Sequence, residues 1–285
     1  MISPILASPD VVKYVVKRFG LHMSKKLGQN FLIWRDVVDD IVSAAALSED
    51  DAVLEIGPGI GTLTQGLADS GAAVTALELD QRLLPVLSHT LENYDNVHVV
   101  HGDVLKTDLW TLMKGTPSFK VCANLPYYIT TPIVMGLLEQ KLPISSMVIM
   151  IQREVAERMT AMPGGKIYGA LSVAVQYYTE AEIMFEVPSK AFMPSPAVTS
   201  AVVRLIPRKT PPVTVLDESM FFRVVKIAFS QRRKTFANTL KAAGIDKDRV
   251  VTLLEKCAID STCRGETLSM EKFALVANEM TALKL

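Results

Sequence analysis

The chain has 285 residues, 49% of them hydrophobic, and its 30 lysines and arginines balance its 30 aspartates and glutamates. That apolar share excludes global disorder, and the length suits one large domain plus a small one. No apolar run approaches the roughly 20 residues that cross a bilayer. Residues 1–10 lack a secretory leader pattern, and Cys122, Cys257 and Cys263 are odd in number without CxxC spacing, so a reduced, cytoplasmic setting is expected.

In chain order, Ser8-Pro9 is a helix start and Gly20 a stop. His22–Asn30 has no periodicity and reads as an exposed loop. A second helix is predicted over Asp36–Ala46. The pattern then alternates: strand Ala52–Ile56, turn Gly57–Gly61, helix Thr62–Asp69, strand Ala73–Leu79, helix Leu83–Leu91, strands Val97–His101 and Phe119–Ala123, and helix Thr130–Gln140. Strand Ser146–Ile151 leads into helix Glu154–Met159. This rhythm predicts an α/β fold with a parallel, doubly wound sheet. Glu180–Val187 and Ser200–Ile206 read as an antiparallel hairpin around a corner rich in proline (Pro188, Pro194, Pro196). Pro207–Asp217 reads as a linker. Four helices come after it, Glu218–Phe229, Thr235–Ala243, Asp246–Cys257 and Met270–Leu283, so the expected domains are 1–206 and a small all-helical 207–285.

Net neutrality argues mildly against a nucleic-acid partner, but the distribution is uneven. Lys13, Lys17, Arg18, Lys25, Lys26 and Arg35 fall in a stretch, Val11–Arg35, without one acid, and Arg232-Arg233-Lys234 forms a second cluster. Such clusters suit phosphates or simply a solvated face. His22, His89, His98 and His101 show no metal spacing, and no metal is expected.

Gly57-Pro58-Gly59-Ile60-Gly61 ends a strand and opens a helix, where glycine lets the backbone approach a ligand and helix N–H groups face it. A dinucleotide fingerprint would need glycine where Thr62 stands, so a smaller adenosyl ligand fits better. Glu78, at the next strand end and about 20 residues on, is placed to accept both ribose hydroxyls. Asp103 ends the third strand and can accept an adenine amine. Each acid alone is more often a loop residue; three successive strand ends are harder to dismiss, because ligands of open parallel sheets sit there.

Asn124-Leu125-Pro126-Tyr127 closes the fourth strand. An adenine amine is a weak nucleophile because its lone pair is delocalised into the ring. Two acceptors for its N–H groups, the Asn124 side-chain oxygen and the Leu125 or Pro126 carbonyl, would return density to nitrogen. Pro126 fixes the turn. Tyr127 can stack on a swung-out base, worth about 1–3 kcal/mol by analogy with single-strand binders. The electrophile would be a sulfonium methyl, and alignment rather than a strong base would supply the rate. Taken alone, the tetrapeptide could be only a turn after a strand.

With these segments in place the chain resembles the bacterial 16S ribosomal RNA adenine dimethyltransferase family, over nearly its whole length. Ser24–Leu32, Leu54–Thr64, Glu78, Gly102-Asp103-Val104, Asn124–Tyr127, Ala191–Pro196 and Phe229–Thr235 carry the likeness. It departs at no motif position; Trp34 stands where an acid is more usual. The resemblance implies a Rossmann-like class I methyltransferase sheet with a small all-helical C-terminal domain, and S-adenosylmethionine as cofactor. It implies cofactor contacts at Gln29, Asn30, Leu32, Gly57, Gly59, Gly61, Glu78, Leu79, Asp103, Val104 and Asn124, and catalysis at Asn124, Leu125, Pro126, Tyr127 and Phe192, the last stacking on the base. It implies RNA contacts at Lys25, Lys26, Arg232, Arg233 and Lys234. The implied activity is dimethylation of N6 on two adjacent adenosines in a hairpin near the 3′ end of 16S rRNA, within an immature 30S subunit, in the service of ribosome biogenesis; the sequence does not reveal the oligomeric state, and a monomer is expected.

Three alternatives stay open. A nicotinamide-dependent dehydrogenase would leave Asn124–Tyr127 unexplained. A non-catalytic RNA-binding assembly factor would not need that tetrapeptide. A methylase of 23S rRNA or DNA adenine would share the chemistry around the amine, and is disfavoured only by the extent of the whole-chain likeness.

Overall fold

The structure is a computed structural model that describes residues 5–21 and 29–284. In chain order its elements are α1 (Pro9–Arg18), β1 (Phe31–Leu32), α2 (Arg35–Ala45), β2 (Ala52–Ile56), α3 (Thr62–Asp69), β3 (Ala73–Glu78), α4 (Leu84–Thr90), β4 (Val97–His101), α5 (Leu109–Leu112), β5 (Phe119–Asn124), α6 (Thr130–Glu139) and β6 (Ile144–Gln152). Then come α7 (Arg153–Thr160), α8 (Ala170–Tyr178), β7 (Thr179–Val187), β8 (Phe192–Met193), β9 (Ser200–Pro207), α9 (Glu218–Phe229), α10 (Phe236–Ala242), α11 (Lys247–Lys256) and α12 (Met270–Ala282).

The chain divides into two compact units, Met1–Ala156 with Ala181–Pro207, and Glu157–Glu180 with Arg208–Leu285. The linear division at 206/207 is therefore corrected: one division does fall after Pro207, but Glu157–Glu180 belongs with the C-terminal helices. The reason is α8, to which the sequence pattern assigns nothing. Six of its nine residues are buried (Leu171, Ser172, Val173, Ala174, Val175 and Tyr177). A helix covered on nearly every side shows no amphipathic period to read. Its Val173 and Tyr177 share one buried cluster with Phe221, Val224, Phe236 and Phe273.

The first unit is built on a seven-stranded sheet in the order β4-β3-β2-β5-β6-β9-β7. β2 pairs in parallel with β3 and β5, β3 with β4, and β5 with β6, while β9 runs antiparallel to β6. β2 and β5 are neighbours in space but not in sequence, so the winding reverses between them and opens a crevice at their carboxyl ends. The expectation of a hairpin for the last two strands gives their adjacency; the order shows that the final strand lies inside, between β6 and β7. Val53, Val74, Cys122, Val148 and Val202 pack in one buried cluster with Val37, Val38 and Ile41 of α2 and Leu63 and Leu67 of α3.

The second unit needs less from register and more from caps. Asp217, Thr235 and Asp246 accept backbone N–H bonds at the starts of α9, α10 and α11, each worth about 1 kcal/mol. Tyr178 donates its hydroxyl to Glu218 Oε1 at 2.7 Å. Among the described residues no helix is long and apolar enough to cross a membrane.

Candidate active site

The carboxyl ends of β2, β3, β4 and β5 open onto one cleft. Gly57, Gly59, Glu78, Leu79, Asp103, Val104 and Asn124 through Tyr127 all line it. Gln29, Asn30, Leu32 and Phe192 close it from segments distant in sequence. Gly61 is not among the lining residues. It precedes α3 at φ +92°, and a Cβ there would meet the Leu91 side chain and Thr90 Oγ1 at 3.2 Å, so its lack of a side chain serves the backbone and packing. Lys25 and Lys26 lie outside the described residues.

The glycine turn and Glu78 are one construction. Gly57 and Gly59 adopt φ +72° and +63°. This aims Gly59 N–H at Glu78 Oε2, 3.1 Å away, while Asp80 N–H donates to Oε1 at 2.7 Å. Burial raises the Glu78 pKa, and these two N–H bonds pull the other way. Each carboxylate oxygen holds one donor and retains room for another. Asp80 anchors the far wall: it accepts Gln29 Nε2 at 2.9 Å and Arg82 Nη2 at 2.6 Å. Those bonds, the Arg82 bond foremost, lower its pKa to about 2. Asp103 takes the Leu105 N–H on Oδ1 at 3.0 Å.

Asn124 Nδ2 donates to the Asn30 carbonyl at 3.3 Å. A carbonyl can only accept, so the amide must present its NH2 there and keep Oδ1 for a ligand. The Pro126 carbonyl already accepts from Ile129 N–H at 3.1 Å and from Thr130 Oγ1 at 3.1 Å. Both its lone pairs are engaged, which leaves the Leu125 carbonyl as the second acceptor of the tetrapeptide. Leu125 N–H is held by Met150 O at 3.0 Å, continuing the β5–β6 ladder past its last residue. Tyr127 is tied through its hydroxyl to Ser200 Oγ of β9 at 2.6 Å, and burial raises its phenol pKa.

Three features escape the sequence pattern. The first is the two-residue ladder of β1 and β8, Phe31 with Met193 and Leu32 with Phe192, extended by Ile33 N–H to Ala191 O at 2.8 Å. It joins two segments about 160 residues apart, and two residues carry no period to reveal it. It sets Phe192 against the cleft with only 3% exposure. The second is the pair Asp80 and Ser200, which hydrogen-bond Gln29 and Tyr127 of the cleft lining.

The third is Glu55. It lines the cleft from inside β2, is 1% exposed, and its Oε2 finds no hydrogen-bond partner among the described residues. Burial pushes its pKa to about 8, with the charge of Glu78 adding to the push. The Thr62 hydroxyl, also in the cleft wall, has no partner among them either. A carboxyl between Leu54 and Ile56 on a strand covered on both faces was the available signal, because an acid is rarely buried without a task.

The basic motif sits in the second unit. Arg232, Arg233 and Lys234 are exposed, and the Arg232 guanidinium donates to the Lys166 carbonyl. Among the described residues no group of His, Cys, Asp and Glu could hold a metal ion.

The cleft fits a cationic adenosyl ligand on its own chemistry. Glu78 offers two acceptor oxygens in the cleft wall, Gly59 leaves the approach clear of any Cβ, and Glu55 adds an unsatisfied buried acceptor. Strand order, glycine turn and strand-end acids together define a class I methyltransferase that uses S-adenosylmethionine. The comparisons with known proteins narrow that class. The profile of the family described as ribosomal RNA adenine dimethylase matches residues 20–282, and the chain belongs to that family. It is 48% identical over 283 residues to the ribosomal RNA small subunit methyltransferase A of Geobacillus sp. (strain WCH70), covering 96% of this chain and 97% of that one. Its counterpart in Alkaliphilus metalliredigens (strain QYMF) is 49% identical over 283 residues, with 97% and 98% covered. Among solved structures, a dimethyladenosine transferase from Plasmodium falciparum is similar at TM-score 0.76 and 26% identity, over 90% of this chain and 98% of that one. The 23S rRNA methyltransferase ErmE is similar at TM-score 0.67 and 27% identity, over 88% and 100%. The chain is thus an rRNA adenine dimethyltransferase dependent on S-adenosylmethionine.

Proposed function

We propose that the cleft dimethylates N6 of two adjacent adenosines in a hairpin near the 3′ end of 16S rRNA, acting as a cytoplasmic monomer on an immature 30S subunit. S-adenosylmethionine supplies an electrophilic methyl carbon on its sulfonium. Its adenosyl and methionine parts would be held by Gly57, Gly59, Glu78, Leu79, Asp103 and Val104, with Gln29, Asn30 and Leu32 over them. The observation that carries the reading is the pairing of acceptors at the tip of β5. Asn124 Oδ1 is left free by the Asn30 bond, and the Leu125 carbonyl is left by the double engagement of Pro126.

Two acceptors draw both N–H groups of the amine, turn its lone pair out of the ring and aim it. Tyr127, braced by Ser200, and Phe192, braced by the β1–β8 ladder, would hold the base between two rings. The neutral amide of Asn124 brings no charge that would have to be neutralised afterwards, and the ammonium product sheds its proton without a strong base. After one transfer the amine keeps a single N–H, so one acceptor loses its partner, a net loss of about 0.5–1.5 kcal/mol. The second transfer must tolerate that loss.

Mass spectrometry of nucleosides from unmethylated small subunits after reaction tests this. The expected product is N6,N6-dimethyladenosine at two neighbouring positions of 16S rRNA. Methylation confined to 23S rRNA or DNA, or none with intact particles, would overturn the reading.

A further inference from the structure

The first helix carries chemistry that the cleft leaves unused. Val12 and Val15 of α1 are buried against Phe31, Ile60, Leu83 and Val86. Phe31, Ile60 and Leu83 also line the cleft, so α1 is the outer layer of that wall. Its other face presents Lys13, Tyr14, Lys17 and Arg18, all exposed. Lys13 with Lys17, and Tyr14 with Arg18, are four residues apart and so neighbours on the helix surface, which puts all four on one side of α1. Arg18 Nη1 donates to the Tyr14 hydroxyl at 2.6 Å, and its guanidinium carbon lies 5.8 Å from the Tyr14 ring and 5.9 Å from the Phe19 ring. Those contacts hold the guanidinium in place while leaving its charge outward.

The stripe is barely neutralised. Among the described residues its one carboxylate contact is Asp10, 95% exposed and 3.8 Å from Lys13 Nζ, while Lys17 and Arg18 pair with none. Like charges one turn apart weaken a helix by a few tenths of a kcal/mol. Lys17 and Arg18 stand in the last turn, where the helix dipole favours cations, and their charge still faces outward, where it can meet an anionic partner. A lipid surface suits it poorly, because an interfacial helix needs its apolar face free, and here that face is covered by the cleft wall.

We propose that this face of α1 is an rRNA grip of the methyltransferase unit, separate from the Arg232–Lys234 motif. It binds phosphates of the strand that flanks the target nucleotide, because the stripe stands about one helix diameter, roughly 10 Å, outside the cleft wall. The inference rests on the reading of the chain as an rRNA adenine dimethyltransferase.

The test uses the full chain with Lys13→Gln, Lys17→Gln and Arg18→Gln combined, exposed changes that keep good helix formers. Binding to unmethylated small subunits is measured between about 50 and 200 mM salt, with S-adenosylmethionine affinity and Tm as controls. The expected result is a plot of log K against log salt shallower by about 2–3, near 0.9 per lost phosphate contact, with both controls unchanged. An unchanged slope in a protein whose wild type methylates the particles overturns this inference alone. A wild type that neither binds nor methylates them overturns the functional reading as well. An unchanged RNA slope with lost binding to phosphatidylglycerol vesicles would reassign the stripe to a membrane and overturn the grip.

Discussion

The cleft of the first unit and the basic motif of the second handle charge in opposite ways. Glu55 and Glu78 are 1% and 5% exposed, and Glu78 is fixed by two N–H bonds, one from Gly59 of the glycine turn and one from Asp80. Arg232, Arg233 and Lys234 stand in water. A buried group fixed by the backbone acts through geometry, so one atom matters and salt does not. An exposed cation acts through its field, so number matters more than identity, and salt weakens all of it. Substitutions should therefore fail in two distinguishable styles.

The largest effect is expected at Asn124. Asn124→Ala removes one acceptor of the amine and the tie to Asn30, and turnover should fall by about 10²–10³, the scale for one lost group that stabilises developing charge. Far-UV circular dichroism should change little, since β5 is held by its ladders. Near-normal turnover would remove Asn124 from the chemistry.

Next comes Glu78→Gln. The amide keeps the shape but turns one acceptor into a donor facing Gly59 N–H or Asp80 N–H. Two donors then meet, and hydrogen bonds to a charged partner are worth about 1.5–3 kcal/mol. S-adenosylmethionine should bind about 10- to 100-fold more weakly by calorimetry, with no change in the salt dependence of RNA binding. If the RNA salt slope moved instead, the division between geometric and field-like regions would break down.

Arg232→Gln, Arg233→Gln and Lys234→Gln should show the converse. Single changes should be mild, and the triple variant should lower the salt slope by about 2–3 while leaving cofactor affinity alone. A collapse from any one of them would mean a structural role, for which the bond from Arg232 to Lys166 O would be the first suspect.

This contrast also explains how much of the molecule was legible in its sequence. The strand-end acids and the glycine turn could be found because parallel strands advertise themselves as short apolar runs, and the residues just beyond each run must face the crevice. The ends of β2 and β4 fall where the apolar pattern places them. Phe192 was placed only by family likeness, since the ladder that seats it spans two residues per strand and about 160 residues of chain. α8 hid because burial on most sides erases periodicity. Trp34 shows a smaller version: it is the N-cap residue of α2 without a side-chain bond to the helix, where an acid could have capped it, and it lies instead under Lys190 at 5.1 Å.

Glu55 gives the finest test, because it is the partner of Glu78 that the backbone does not serve. Inside β2 the N–H groups are spent on the ladders to β3 and β5, whereas at the tip of β3 the loop has N–H groups to give. With a folded pKa of about 8 against an ordinary 4.5, the folded protein holds this proton more tightly than the unfolded chain. Its contribution to stability is then full below about pH 4.5 and is lost as pH rises toward 8. The span is on the order of a few kcal/mol, or several degrees in Tm for a unit of this size. Glu55→Gln has no proton to lose, so its Tm should exceed that of the unsubstituted protein at about pH 8 and converge with it near about pH 5. S-adenosylmethionine, whose positive charge favours the ionised carboxylate, should narrow the gap at the alkaline end. Parallel Tm profiles across this window would show that Glu55 is already ionised without ligand, and would make the two buried glutamates equivalent after all.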